Sequence, residues 1–393
     1  MMPSYRPEII QSAFVDFIGS RLSPFWSLTT PKLRLIARHA LSDELIALQF
    51  EVNRAFDVKK GQRSGWHGGQ YINLTIPLDG IYHQRSYSLV GLPEQALWWD
   101  KDSDKKRQRQ TLTIAIKPQG KISDYFTKHA AIGTILDSSA PSGDFTLQHT
   151  IKVQASFDER TPLLLIAGGS GITPMLGLVT QALQDNRQVT LLHYNRGLVL
   201  EPYWQQLADK HSTFDYHLVN TQNSNSYLAG SRHLNDASLL ALNLPLQETQ
   251  IFACGSQALL ASLYQAVDEI EAKLKLSDNQ HSVRDNIIIE RFGTALPELA
   301  LGALNEQFDL ATHTVYLRSR QQQFNSDSTL LLSAEQAGIR LNYGCRQGIC
   351  QLCRCNKVSG VVKNIQTGKL SGDGSESIQT CINVAMSDVV LDI

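Results

Sequence analysis

Apolar residues change their grammar three times along this chain. From residue 31 to about 155 they fall in short runs broken by turn residues, as in KLRLIARHAL, LIALQFEV, GGQYINLTI, HQRSYSLVG and TLTIAIKP. Short runs at this spacing predict an antiparallel barrel or sandwich. Over residues 156–280 the runs lengthen and alternate with helical patterns. TPLLLIAGGSGITPMLGLVTQAL predicts a buried strand, a glycine turn and a helix; QVTLLHYNR predicts a second strand; TQIFACGSQALLASLYQAV predicts another strand, turn and helix. That alternation predicts a parallel sheet covered on both faces. A connector at 281–303 leads to a last region, 304–393, with strand-like TVYLRS, helix-like STLLLSAEQAG and a cysteine loop. No internal repeat or low-complexity tract interrupts this order.

The extension at residues 1–30 contains FVDFIGSRLSPFWSL, which predicts an amphipathic helix ending before Pro24. It is expected to pack against the next domain, since it lacks the Lys/Arg-rich face of helices that lie on membranes. The stretch DKDSDKKRQRQ at 100–110 is expected to be a solvated hairpin tip.

With 393 residues the chain is long enough for two to four domains, and 42% hydrophobic against 19% charged residues is ordinary for a globular protein. Lys and Arg number 36 against 37 Asp and Glu, so no basic excess exists to neutralise phosphates and nucleic acid is not an expected partner. No apolar run reaches the length of a membrane span, and the N-terminus lacks a signal-peptide pattern. A cytoplasmic monomer, peripheral to a membrane only through its partner, is expected.

Four of the six cysteines lie between Cys345 and Cys355. A disulfide framework would spread them along the chain. Cys345, Cys350, Cys353 and Cys381 follow C-x4-C-x2-C…C, the plant-type [2Fe–2S] spacing. Gly344 and Gly348 allow a tight loop whose N–H groups can face bridging sulfides. Zinc would call for a second C-x2-C or for histidines, and no histidine follows His313. Cys355 is the spare and is expected to pack on a strand face.

Other motifs suit nucleotide chemistry. Arg85-Ser86-Tyr87-Ser88 offers a guanidinium for phosphate, a ring to stack and a hydroxyl to bond a reactive nitrogen. Lys117 ends a strand, and Gly120 to Ser123 opens a helix N-terminus that can receive a pyrophosphate. Gly168, Gly169, Gly171, Thr173 and Pro174 join an apolar strand to a helix, a turn through which phosphates can approach the backbone. Cys254-Gly255 ends another strand.

Taken in order, R-x-Y-S, G-x-x-S, GG-x-G-x-TP and CG resemble the ferredoxin–NADP reductase superfamily, followed by a plant-type ferredoxin domain, over residues 31–393. The resemblance implies a β-barrel flavin domain at 31–155, an α/β NAD(P)-binding domain at 156–280, a linker at 281–303 and a β-grasp [2Fe–2S] domain at 304–393. It implies FAD, with FMN the alternative, held by Arg85, Tyr87 and Ser88, with Ser123 near the pyrophosphate. It implies nicotinamide nucleotide at the glycine turn, with Ser88 and Cys254 at the hydride-transfer centre. Two departures stand out: Ser170 where the superfamily often has an aliphatic residue, and CGS in place of CGP. NADPH is expected over NADH, because QVTLLHY ends in Asn195-Arg196 without an acid to grip a ribose hydroxyl, and Arg196 or Arg232 can receive a 2′-phosphate. In residues 305–393, eight acids balance eight bases, which suits a domain tethered to its reductase rather than steered by charge. The domain order resembles reductases that serve oxygenases and fatty-acid desaturases, and the N-terminal extension with FIGSRLSPFWS resembles reductases of acyl desaturases, the expected electron acceptor; an oxygenase is the alternative, and a non-catalytic redox sensor is the rival from another class.

Overall fold

The computed structural model describes residues 12–59, 62–63, 65–78, 81–93, 95, 97, 111–149, 157–158, 160–274, 282–291, 312–343, 348, 352–365 and 369–393. The charged stretch at 100–110 and most of the 281–303 connector lie outside them. Two compact units emerge, Met1–Pro77 with Tyr87–Phe292, and Leu78–Ser86 with Gly293–Ile393.

Alternation of buried and partly exposed residues opens the first strand of the first sheet. In β1 (Lys32–Ser42), Leu33 and Leu35 are fully buried while Lys32 and Arg34 stay partly exposed. Its partners are β2 (Leu45–Val52), β3 (Tyr71–Leu78), β4 (Ile81–Ser88), β5 (Thr111–Ile116) and β6 (Ile135–Ser138), in the order β4-β3-β6-β1-β2-β5. The pairings of β1 with β2 and β6, β2 with β5, and β3 with β6 are antiparallel. Just past β4, Leu89 bridges Ile114 of β5, which joins the two ends of that order.

The three central strands of the second sheet are buried on both faces. Strands β7 (Leu163–Gly168), β8 (Val189–Asn195), β9 (Phe214–Asn220), β10 (Gln250–Gly255) and β11 (Ile287–Arg291) run parallel in the order β9-β8-β7-β10-β11. One face packs on α2 (Ile172–Gln184) and α3 (Glu201–Lys210) through Met175, Val179 and Trp204. The other packs on α4 (Gln257–Leu274) through Leu260, Leu263 and Val267. The first of these cores continues into the β-rich region through Leu45, Val90 and Phe145, whose ring meets Phe252 at 5.1 Å. The Gly68 N–H donates to Gln181 Oε1 at 3.0 Å, and a side chain at Gly68 would strike the Gly177 carbonyl carbon at 2.4 Å.

The C-terminal unit has a five-stranded sheet of β12 (His313–Leu317), β13 (Gln322–Ser326), β14 (Arg354–Ser359), β16 (Glu376–Gln379) and β18 (Val389–Asp392), in the order β13-β12-β18-β14-β16. A small pair, β15 (Val362–Asn364) with β17 (Asn383–Ala385), lies apart from it, and α5 (Leu330–Gln336) is capped by Thr329. Leu330, Leu331 and Ala334 of α5 pack with Val315, Leu317 and Leu391 in the core.

The N-terminal helix α1 (Ser12–Leu22) ends before Pro24, as its pattern predicts, but it is not attached by its apolar side. Asp16 accepts from Leu28 N and the Ser27 and Thr29 hydroxyls, and Gly19 lies against the Trp26 ring. Phe14, Phe17, Ile18 and Leu22 remain exposed, Leu22 at 84%. The expected apolar packing therefore gives way to a polar anchor, because the Asp16 carboxylate satisfies the loop that follows.

Candidate functional site

The crevice at the second sheet follows from its topology. Chain order reverses between β7 and β10, and ligands of open α/β sheets bind outside the strand ends at such a switch point. The backbones approach there so closely that only glycine fits. A Cβ on Gly171 would stand 2.1 Å from the Cys254 carbonyl oxygen, and one on Gly255 would stand 3.1 Å from the Gly168 nitrogen. Gly169 has φ +55, the left-handed region glycine enters freely, and begins the tight turn Gly169–Gly171. Thr173 and Pro174 are buried, and Thr173 Oγ1 donates to the Ser170 carbonyl at 3.1 Å. These two brace the turn, while the glycines line it.

At the same edge stand Ser88, Cys254 and Glu290. Register pairs Cys254 of β10 with Glu290 of β11, and Cys254 Sγ faces Glu290 Oε2 at 3.9 Å. Burial pushes the Glu290 carboxyl up to about 8, with Ser88 and Cys254 opposing the rise. Burial, and then the Glu290 charge, push the fully buried Cys254 thiol well above its ordinary value. Ser88 Oγ is buried and makes no hydrogen bond. It lies near Glu290 without forming a bond of good geometry, and this orphan hydroxyl beside two proton-holding groups fits a bound ring that supplies its partner. Glu290 belongs to no motif of the sequence. Its one signal is a lone acid closing the apolar run Ile287, Ile288, Ile289.

The remaining expected flavin residues are placed more locally. Tyr87 meets Phe126 edge-on at 6.4 Å, and Arg85 Nη1 donates to the Gln84 carbonyl at 2.8 Å. Lys117 Nζ is bound to Glu44 Oε2 at 2.6 Å, and that bond holds the Glu44 carboxyl below its usual range. The helix expected after Gly120 is only Lys121–Asp124, continued by a wider turn, Tyr125–His129. Gln119 N donates to Ser123 Oγ, which in turn donates to the Gly120 carbonyl, so Ser123 shapes that loop from within. Arg196 is exposed and also lowers Glu44, while exposed Arg232 donates to His233 Nε2 at 3.0 Å.

Of the four expected cluster ligands, Cys345 and Cys350 lie outside the described residues. Cys353 and Cys381 are buried with their sulfurs 3.1 Å apart, far beyond a disulfide bond. The neighbouring backbone fixes the pair: Thr380 N donates to the Cys353 carbonyl at 3.0 Å, and Gln379 Nε2 donates to the Gly348 carbonyl at 2.6 Å. Two thiols held together beside a glycine loop are a donor set suited to iron and sulfide. Cys355 sits in β14, half-buried against the core; burial, and then Cys353, push its thiol up to about 12.

Residues 165–265 match the oxidoreductase NAD-binding domain family, and residues 315–382 match the 2Fe-2S iron-sulfur cluster binding domain family. An NADPH oxidoreductase of Mycobacterium tuberculosis is 26% identical over 381 residues, 94% of this chain and 86% of its own. A component of the 1,2-phenylacetyl-CoA epoxidase of Escherichia coli is 26% identical over 392 residues, 94% of this chain and 98% of its own. A flavohemoprotein of Pseudomonas putida is 33% identical over 167 residues, 42% of this chain, and the match spans only 36% of that relative. Among solved structures, phthalate dioxygenase reductase, described as a modular structure for electron transfer from pyridine nucleotides to [2Fe-2S], shares the fold with a TM-score of 0.50 at 19% identity, over 93% of this chain and 98% of its own.

Proposed function

We propose, from the premise that this chain is an oxidoreductase with an NAD-binding domain and a C-terminal 2Fe-2S domain, that it carries electrons from NADPH through FAD and the cluster to a partner protein. The observation that carries the reading is the meeting of Ser88, Cys254 and Glu290 at the switch point of the parallel sheet. In this reading residues 31–155 form the flavin barrel, 156–280 together with the added strand Ile287–Arg291 the nucleotide domain, and 304–393 the β-grasp cluster domain.

Flavin supplies the conversion of a hydride pair into single electrons, which an iron–sulfur cluster takes one at a time. The chain's own residues arrange it. Gly168, Gly169, Gly171 and Gly255 admit the dinucleotide backbone. Glu290, with its pKa near 8, holds a proton on its carboxyl at neutral pH. Cys254 stays a neutral thiol, so no negative sulfur opposes charge arriving at the ring. Ser88 Oγ, buried without a hydrogen bond of its own, would offer its hydroxyl to a bound flavin ring. Cys345, Cys350, Cys353 and Cys381 would hold the cluster.

The epoxidase component and the dioxygenase reductase favour an oxygenase as the electron acceptor. That weighs against the desaturase expected from the N-terminal extension, which stays as the second reading. NADPH remains the proposed donor on the absence of an acid after β8 and on the M. tuberculosis relative's name. The test extracts the flavin and iron from purified protein and follows NADPH and NADH oxidation with ferricyanide. FAD, iron and faster NADPH turnover support the reading; protein that oxidises neither nucleotide would end it.

A further inference from the structure

One buried titratable side chain plays no part in the chemistry above. His193 lies in β8, opposite Ala167 of β7, which stands two residues short of Gly169. It is 2% exposed, and its Nε2 is 3.1 Å from the Gly169 carbonyl oxygen. A carbonyl only accepts, so the proton sits on Nε2. Burial lowers the imidazole's pKa to about 4, which keeps the ring neutral through the ordinary working range.

The Gly169 carbonyl receives two bonds of different origin. Ile172 N–H closes the turn from within, at the start of α2. His193 reaches it from the neighbouring strand. The second bond ties the turn to the sheet, which the first cannot do. On the opposite side of the turn, among the described residues, a Cβ on Gly169 would meet only Asn195 Oδ1, at 3.9 Å. The carbonyl is thus fixed on the protein side while the backbone faces space that a phosphate can enter.

We propose that His193 is a positioning residue for the pyridine nucleotide, holding the Gly169–Gly171 turn in the orientation that receives the pyrophosphate. The proposal rests on the reading that NADPH binds at this turn. A bond made to the turn, and not to the reacting atoms, acts equally on the bound nucleotide and on the transition state. Its loss raises KM and spares kcat.

The test compares wild type with His193→Phe, which fills the ring's space without a donor, and His193→Gln, whose Nε2 can renew the bond. Titration calorimetry measures Kd for NADP+, and steady-state kinetics with ferricyanide gives KM and kcat for NADPH. Loss of one hydrogen bond corresponds to about a five- to tenfold change in affinity. The Phe variant should raise Kd and KM by that factor at nearly unchanged kcat, and the Gln variant should recover most of it. Unchanged Kd in His193→Phe would overturn the proposal, as would a fall in kcat with Kd unmoved. If the Phe variant does not fold, a folded Gln variant with about tenfold weaker binding would also overturn it. Wild-type protein that binds neither NADPH nor NADH would instead remove the functional reading beneath it.

Discussion

The α/β sheet and the cluster region assemble their chemistry in opposite ways. At the α/β sheet, groups far apart in sequence meet: the parallel register pairs Cys254 with Glu290, and Ser88 comes to them from the end of a strand of the first sheet. In the cluster region most of the candidate chemistry is local in sequence, with Cys345, Cys350 and Cys353 within one short stretch, and only Cys381 comes from a distance. The sheet site should tolerate loop changes and fail when strand ends are disturbed. The cluster site should fail with any one thiol and leave the sheet intact.

The largest effect should come from removing a ligand. In Cys381→Ser, iron should fall from about two per chain toward none, while Cys355→Ser keeps it; iron analysis and electron paramagnetic resonance read both. Loss of iron in Cys355→Ser alone would exchange the two residues' roles.

At the sheet, Glu290→Gln should slow flavin reduction by NADPH about a hundredfold, the range for losing a proton-holding group, while leaving flavin bound. The wild-type rate should decline as pH rises through about 8 and Glu290 gives up its proton, and the variant should lose that dependence. The same group has a stability consequence. Its folded pKa lies above the unfolded value of 4.5, so the native state binds more protons between these values and stability falls as pH rises from about 4.5 to 8. Denaturant titrations across that window should show a shallower slope in Glu290→Gln.

A smaller effect is expected from Gly171→Ala. The added methyl would stand 2.1 Å from the Cys254 carbonyl oxygen, so the strand ends must part at a cost of about 1–3 kcal/mol. Denaturant midpoints measure it, and an unaltered midpoint would mean the close approach is not essential.

The same difference between local and assembled chemistry decides what the sequence reveals. The cysteine spacing and the glycine turn are local patterns, so Cys353 and Gly169 are legible as candidates without the fold. The alternation of Leu33 and Leu35 with charged neighbours marked the first sheet, and the unbroken apolar run at 163–167 marked the second. Glu290 and His193 were not legible, because each matters through a neighbour in a parallel strand and neither belongs to a local pattern. Lys117, a cofactor-binding candidate by its place at a strand end, is held by Glu44, 73 residues away, a pairing no local pattern shows. Helix α1 read as an apolar packing element because periodicity shows that a helix has two faces without telling which one the chain anchors.

The central claim is that sheet site and cluster site act in series, each built independently. Anaerobic stopped-flow reduction by NADPH tests it in Cys381→Ser with its flavin retained. The account predicts flavin bleaching at the wild-type rate together with loss of most cytochrome c reduction. Flavin bleaching slowed in proportion to the lost cytochrome c activity would contradict it.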